Sequence, residues 1–414
     1  MKYSQSFPKT QKQAPRGAQS LNHKLLVRAG FIDQLMSGSW TLLPMGFRVV
    51  SKINDIIREE LNKIGAQELL MPLLHPKEIW NETGRWDSAK EIMYQLKKDN
   101  KDFGLSFTHE EIVVDLIRKH SLSPKDFPIK VYHFSTKFRH ELRAKSGILR
   151  GREFLMKDLY SAHLTEEDML SYYHEVIKSY LLIFKRIGLD VKVVEASGGV
   201  FTDRNSHEFQ VLSDVGEDTV YYCDSCDFAK NEEIAKVKEN DNCPKCLKGK
   251  IKVSKAIEVG NIFPLGTMYA EKMGAFYTDS NGVKKPLWLA SYGIGPTRIL
   301  GTLVEMFHDE KGIVWPESVA PYKVHLISLH SEDPNVKKFA DKVYEDLKEQ
   351  NIEVFYDDRE VAAGEKFGDA DLIGIPYRLV ISEKTGDKIE FKKRQEENSE
   401  ILGFSEVLKR LKKD

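Results

Sequence analysis

The segment spanning residues 136–160 reads TKFRHELRAKSGILRGREFLMKDLY and carries Arg139, Glu141, Arg143, Arg150, Arg152, Glu153 and Phe154. Guanidinium groups bind anions well, because each offers a planar fork of donors and keeps its charge at any physiological pH. Alone, the stretch reads equally as a solvated charged face or as a surface turned towards nucleic acid. A second cluster, THEE at 108–111, brings a hydroxyl and two carboxylates together. Thr108 followed three residues later by Glu111 has the form of a capping box, which leaves Glu110 free for another task. The four cysteines fall in two pairs, Cys223/Cys226 and Cys243/Cys246, with 16 residues between the pairs. C-x2-C repeated at that spacing is a zinc-ribbon pattern. Four thiolates make a closed structural site with no open catalytic position. Cysteines grouped in this way speak against a disulfide framework and for a reducing compartment.

The elements that must position these residues are legible in the periodicity. Apolar side chains at Phe47, Val50, Ile53, Ile57, Leu61 and Ile64 mark one face of a helix over 45–64, and Gly65 stands at its C-cap. AQELLMPLL then reads as a strand, placed at an edge or bend by Pro72. FGLSFT and IKVYHFSTKF read as strands, and a second long helix runs over 166–187 to Gly188. Strands gathered beside helices without regular alternation predict an α+β domain on an antiparallel sheet. Residues 216–255, with all the cysteines, are expected to form a separate small insert. KPLWLASYGIGPTRILGTLVEMF reads as strand, turn and helix, and WPESVAP as a linker. From Tyr322 the pattern alternates: strand VHLISL, a helix marked by Val336, Phe339, Ala340, Val343 and Leu347, and strand IEVFY. A short helix after Gly364, a hairpin of RLVIS and DKIEFKK around TGD, and a last helix follow, which together predict a compact α/β domain.

A chain of 414 residues exceeds one ordinary core, so two or three domains are expected. The 62 basic residues nearly balance the 63 acidic ones, so bulk charge argues neither for nor against a nucleic-acid partner, and a basic face would have to be local. No apolar run is long enough for a bilayer, and the polar start MKYSQSFPKTQKQ is not a secretory signal. A cytoplasmic protein with no membrane partner is the expectation.

Phe-Arg-x-Glu at 138–141, a loop, and Arg-x-x-x-Phe at 150–154 together resemble motif 2 of the class II aminoacyl-tRNA synthetases. The helix and strand around Gly65 and Pro72 resemble motif 1, the dimer-forming element, and GIGPTR, ending at Arg298, resembles motif 3. THEE, SHEF at 206–209, IEVGNIFPLGT ending at Thr267 and FGDADLIGIPYRLVIS at 367–382 narrow the resemblance to the bacterial prolyl-tRNA synthetases, over nearly the whole chain.

The resemblance implies a class II catalytic domain over 1–320, with a four-cysteine zinc-ribbon-like insert at 216–255, and an anticodon-binding domain over 321–414. It implies ATP-dependent attachment of L-proline to tRNA(Pro) through prolyl-adenylate, with ATP, Mg²⁺ and a structural Zn²⁺ held by Cys223, Cys226, Cys243 and Cys246. Partners would be tRNA(Pro) and a second copy of the chain, not DNA. Arg139 would bridge the proline carboxylate and the α-phosphate, and Arg298 would lie on the γ-phosphate side. Arg150 and Arg152 would hold the triphosphate, Glu141 would accept from the adenine amino group, and Phe154 would stack under the ring. Thr108 and Glu110 would accept from the secondary ammonium of proline, and His207 would line its pocket. In the C-terminal domain, Asp357, Asp358, Arg359, Lys366 and Asp369 offer the donors and acceptors that guanine requires, and Phe367 offers a stacking face.

Two departures from the family stand out. Many bacterial members carry a large insertion that hydrolyses alanyl-tRNA, but here only a short stretch, 229–242, lies between the cysteine pairs, so editing in cis is not expected. Asn261 replaces a residue that is often histidine. A non-charging relative that only binds tRNA or protein would be expected to lose the arginines or the acceptors, all of which are present. A threonyl-type enzyme would need mixed Cys/His zinc ligands, which the all-Cys set does not supply.

Overall fold

The computed structural model describes the chain except residues 122, 143–145, 200, 330–332 and 414. The residues fall into two compact units. One comprises Gln34–Trp40 and Ile53–Thr302; the other comprises Met1–Asp33, Thr41–Lys52 and Leu303–Asp414. This differs from a boundary at residue 320. The first 33 residues and 303–320 cluster with the C-terminal sequence because they are tied to it directly. The Met1 ammonium donates to Val354 O at 2.9 Å and to Tyr344 Oη at 2.8 Å. Trp315, inside the expected linker, is buried with its indole N–H on Ile373 O at 2.9 Å.

The larger unit is built on nine strands: β1 (Gln67–Glu68), β2 (Ile129–Phe138), β3 (Glu153–His163), β4 (Lys192–Ala196), β5 (Ser206–Leu212), β6 (Asp218–Cys223), β7 (Ala229–Asn231), β8 (Ile251–Gly266) and β9 (Trp288–Ile294). They run in the order β5-β4-β7-β6-β8-β9-β3-β2-β1, with β5 also paired to β8. The long central pairings β2–β3, β3–β9 and β9–β8 are antiparallel, as the α+β reading requires. Its helices are α2 (Glu110–His120) and α3 (Glu166–Ile187), with the part of α1 (Pro44–Lys63) from Ile53 onward and the part of α4 (Pro296–Met306) up to Thr302. α3 ends where Gly188 adopts φ +100°, a left-handed stop. It covers one face of the sheet through Tyr180 and Phe184 against Phe209. Gly260 of β8 allows this approach, since a Cβ there would lie 3.0 Å from Gly293 O and 3.4 Å from the Phe184 ring.

Three expectations are corrected here. The expected strand over 66–74 is interrupted: Gln67 and Glu68 pair parallel to β2, Leu70 is 80% exposed while Met71 is buried, and Leu74 pairs with a different segment at Leu105. Phe47, placed on the buried helix face, is exposed, while Val49 and Ile56 take its place in the core. Residues 216–255 are not a separate insert: β6 and β7 are strands of the main sheet, and β8 begins at Ile251. Only the cysteine-bearing turns project beyond it.

The C-terminal part of the other unit is a five-stranded sheet, order β11-β10-β12-β13-β14, made of β10 (Val324–Ser328), β11 (Val354–Asp357), β12 (Tyr377–Ile381), β13 (Ile389–Lys393) and β14 (Glu400–Leu402). Helices α5 (Pro334–Glu349), α6 (Ala363–Ile373) and α7 (Phe404–Lys413) accompany it. The alternation read from the sequence is present, with β14 unforeseen.

Candidate active site

Three strands and two turns of the larger unit enclose a cleft of about 170 Å³. Period-two alternation along β3 sends Phe154, Met156, Asp158 and Tyr160 to the same face, and all four line the cleft. β9 contributes Ser291 and Gly293, and β8 contributes Glu258, Asn261 and Phe263. Thr108, Glu110, Arg139 and Arg298 complete the wall together with Phe201.

Its cationic side is formed by two arginines. Arg139 leaves the end of β2 with its Nε on Phe107 O at 3.3 Å and its guanidinium 5.4 Å from the centre of the Phe154 ring. It has no ion pair among the described residues. Burial, and then the nearby charge of Arg298, both work against its charged form. Arginine does not give up that charge, so this end of the cleft favours anions. Arg298, in the first turn of α4, donates to Leu149 O at 2.9 Å and pairs with Glu258 Oε2 at 3.0 Å. Asn261 donates through Nδ2 to Glu258 Oε1 at 3.0 Å, which leaves its buried Oδ1 without a partner.

At the other end the cleft offers acceptors. The Thr108 hydroxyl donates to Glu110 Oε2 at 2.5 Å. The first-turn residues Glu110 and Glu111 are both buried, and Arg85 donates to each at 3.1 Å. The capping box is therefore not formed: the N-cap is His109, with no side-chain cap bond, and Glu111 turns instead to Arg85 and Thr83. Burial pushes the Glu111 carboxyl up, opposed by Arg85. Two carboxylates on one guanidinium leave one negative charge over, which suits an ammonium ligand. Asp158 adds a third carboxylate to this end.

An adjoining cleft shares Arg139, Glu258 and Arg298, and adds Glu141, Arg150, Glu217 and Asp218. Arg150 is paired to Glu141 at 2.9 Å and also to Glu217. The structure thus brings Thr108, Glu110, Arg139, Phe154 and Arg298 into one cleft and Glu141 and Arg150 into its neighbour. Arg152 reaches neither; it donates to Glu141 O at 2.9 Å and Ser37 O at 3.3 Å and braces the loop. Arg143 lies outside the described residues.

His207 is also misplaced by the sequence reading. It pairs with Ile262 across β5 and β8, on the face opposite Asn261, and its Nδ1 lies 2.9 Å from Tyr173 Oη of α3. Sequence reasoning missed Asp158, Glu258, Phe201, Phe263 and Arg85. The alternation FLMKDLY could have indicated Asp158 once Phe154 was placed.

The residues expected to read an anticodon are largely committed to one another. Arg359 donates to Asp357 and to Asp369 at 2.7 Å and 2.8 Å, with the Tyr3 ring 3.7 Å from its guanidinium. Asp358 accepts from Ser4 N and Oγ at 2.9 Å and 2.6 Å. Lys366 is buried on Ser328 O and Asp357 O. Phe367 is partly buried beneath Arg378. Those contacts leave these side chains little capacity for bases.

The tRNA synthetase class II core domain family (G, H, P, S and T) matches residues 94–307, and the anticodon-binding domain family matches 323–414. Proline–tRNA ligase of the Wolbachia symbiont of Brugia malayi is 39% identical over 421 residues, covering 99% of each chain. The chain belongs to the proline–tRNA ligase family. The ligase of Halothermothrix orenii is 32% identical over an alignment of 564 residues, covering 100% of this chain and 99% of that one. Giardia lamblia prolyl-tRNA synthetase in complex with prolyl-adenylate shares the fold, with a TM-score of 0.78 at 18% identity over 94% of this chain and 75% of that one. The Cryptosporidium parvum enzyme complexed with L-proline and AMP gives a TM-score of 0.76 at 18% identity, over 95% and 77%.

Arg85 is the cation on which the acceptor turn rests. Replacing it in Arg85→Met leaves two buried carboxylates unpaired and is expected to cost about 3–5 kcal/mol of stability at neutral pH. Protonating the carboxylates removes the unpaired charges, so the deficit narrows as the pH falls towards 5. Urea unfolding at the two pH values measures it, and a deficit independent of pH would contradict this role.

Proposed function

We propose that the chain joins L-proline to ATP as prolyl-adenylate and passes the prolyl group to tRNA(Pro). The observation that supports this most directly is the polarity of the cleft, with guanidiniums at one end and carboxylates at the other. An amino acid fits it with its carboxylate towards Arg139 and its ammonium towards Thr108, Glu110 and Asp158. A proline carboxylate oxygen attacks the α-phosphorus of ATP, the bond to the bridging oxygen breaks, and pyrophosphate leaves. Both reactants are anionic, so Arg139 lowers the barrier by holding them together, and Arg298 offsets charge on the phosphates. Phe154 provides a face for adenine. Glu258 and Asp218, in the adjoining cleft, would hold a Mg²⁺ bound with the nucleotide, which would offset charge on the phosphates. In the second step a terminal ribose hydroxyl of tRNA attacks the activated carbonyl and AMP departs.

The apolar walls Phe201 and Phe263, whose ring centres are 4.7 Å apart, suit a pyrrolidine ring. Alanine fits the same space and loses only about 1–3 kcal/mol per missing methylene contact. The alignment with the Halothermothrix relative runs over 564 residues against 421 for the Wolbachia relative, which supports a short form without an editing insertion. The reading therefore includes charging with alanine that the chain does not reverse.

The four cysteines fit Zn²⁺. All four sulfurs lie within 4.8 Å of one another, with Cys223–Cys246 at 3.7 Å and Cys226–Cys243 at 3.6 Å. A tetrahedron of sulfurs around zinc has edges of about 3.8 Å. Ser225 N and Gly249 N donate to two of the sulfurs at 3.3 Å, as expected where thiolate charge must be stabilised. The metal would tie the turns after β6 to the start of β8. A homodimer remains part of the reading. The exposed Leu35, Leu70 and Leu74 support it, and a single-chain mass in sedimentation equilibrium would overturn it. No helix among the described residues is long and apolar enough to cross a membrane.

Pyrophosphate exchange tests the assignment. Proline is expected to support it and threonine to fail. Arg139→Ala is expected to lower kcat/KM about 10²–10³-fold. Exchange with none of proline, alanine or threonine would instead favour a non-charging relative. Alanine is expected to exchange measurably, and alanyl-tRNA(Pro) to persist with the purified protein; rapid deacylation would show an editing route the chain does not reveal. Cys223→Ala is expected to lower bound zinc, and unchanged zinc by atomic absorption would exclude the four-cysteine site.

A further inference from the structure

Behind the acceptor end of the cleft lies a lysine that the reaction as described does not use. Lys137 of β2 is fully buried. Its ammonium is ion-paired to Asp158, lies 2.6 Å from His109 Nδ1 and is 3.4 Å from His133 Nε2. The hydrogen-bond directions are fixed. His109 Nε2 lies 2.9 Å from Pro72 O, and a carbonyl only accepts, so Nε2 carries the ring proton and Nδ1 accepts from Lys137. His109 stands between Thr108 and Glu110 in the chain, and its backbone N–H donates to Tyr160 Oη at 3.2 Å. One ammonium is therefore bonded both to the cleft carboxylate and to the turn that presents the other two acceptors. The ligating atoms of His109, His133 and Asp158 are grouped as closely as a metal site would need, but the cation among them is the lysine.

We propose that Lys137 is a positioning residue for the amino group of the substrate: it keeps Asp158 ionised with Oδ1 turned to the cleft, and through His109 it holds the Thr108–Glu110 turn in register. This rests on the reading of the cleft as an amino-acid site. The contacts of Asp158 with Lys137 and His133 both use Oδ2, which leaves Oδ1 for a ligand. The charged and titratable groups facing Asp158 are Lys137 and His133 from β2, Arg139 beyond its end, His109 from the turn, Tyr160 from β3 and Tyr180 from α3. Lys157 faces away, towards Tyr180 of α3. Burial alone would raise the Asp158 carboxyl, but Lys137 and then His133 hold it far below the usual carboxylate range. Without Lys137, burial prevails. Asp158 would then take up a proton at higher pH, and proline would lose an acceptor as the pH falls.

The test begins with proline-dependent exchange by the unaltered chain, because its absence sinks the amino-acid reading rather than this inference. Lys137→Met is expected to raise KM for proline about tenfold or more, with KM for ATP nearly unchanged. It is also expected to move the acid limb of kcat/KM for proline upward by about one pH unit or more. His109→Asn mainly cuts the link to the turn, since His109 acts on Asp158 less than Lys137 and His133 do, so it is expected to raise KM for proline while moving that limb much less than Lys137→Met does. Equal rises in both KM values, or an unmoved limb in a Lys137→Met protein with native near-UV circular dichroism, would overturn the proposal. If Lys137→Met does not fold, an unchanged KM for proline in His109→Asn would do so.

Discussion

The structure depends on holding two guanidiniums in one cleft against their mutual repulsion. Arg139 stands just beyond the end of β2 and Arg298 in the first turn of α4. Arg298 is partly offset by Glu258. Arg139 rests on a carbonyl and an aromatic face and has no ion pair among the described residues. Folding bears that electrostatic cost through the antiparallel pairing of β2, β3, β9 and β8 and through the burial of α3 against the far side of the sheet. A ligand that brings phosphate and carboxylate oxygens relieves the cost. The site is thus pre-organised for the charge that develops as a carboxylate meets a phosphate.

The opposite end obeys the converse rule. Each cleft carboxylate has a buried cation on the side away from the ligand: Arg85 behind Glu110, and Lys137 behind Asp158. Burying a lone carboxylate would drive it to protonate, while burying it against a cation keeps it charged with its remaining lone pairs free. Because Glu111 shares Arg85, the balance at this end is negative. Cations withdrawn behind acceptors at one end, and cations exposed at the other, orient an amino acid with no moving part.

How much of this was legible depended on whether a residue's partners are close in sequence. α3 could be read to its last residue because its apolar period and Gly188 are local. The mixed α/β order of β10 to α7 was legible for the same reason. Arg139, Phe154 and Arg298, singled out by their motifs, line one cleft. His207 failed because adjacent strand residues face opposite sides, and SHEF carries no mark of its phase; the register of His207 on Ile262 and Glu208 on Asn261 decides it. Glu111 read as part of a capping box because its partner, Arg85, stands 26 residues away. Arg359 and Lys366 looked like base readers because a charged loop shows its charges but not its internal pairs. The cysteine unit was over-separated because its flanking strands, β6 and β8, have no sequence signal that tells a small sheet from the edge of a large one.

The same geometry bears on selectivity. Recognition at the charged ends acts on the carboxylate and the ammonium, which every α-amino acid carries. In the proposed reading, discrimination rests on the apolar wall that Phe201 and Phe263 form together. A wall of this kind rejects what is too large by overlap, but it rejects what is too small only by the contacts left unmade, and those are worth little per methylene. The ammonium acceptors add a second criterion, because a secondary ammonium has two N–H donors and fixed directions whereas a primary one can rotate to meet the same acceptors. Rigid acceptors therefore favour proline only to the extent that they stay rigid. The buried pairs behind Glu110 and Asp158 bear on specificity as well as on binding.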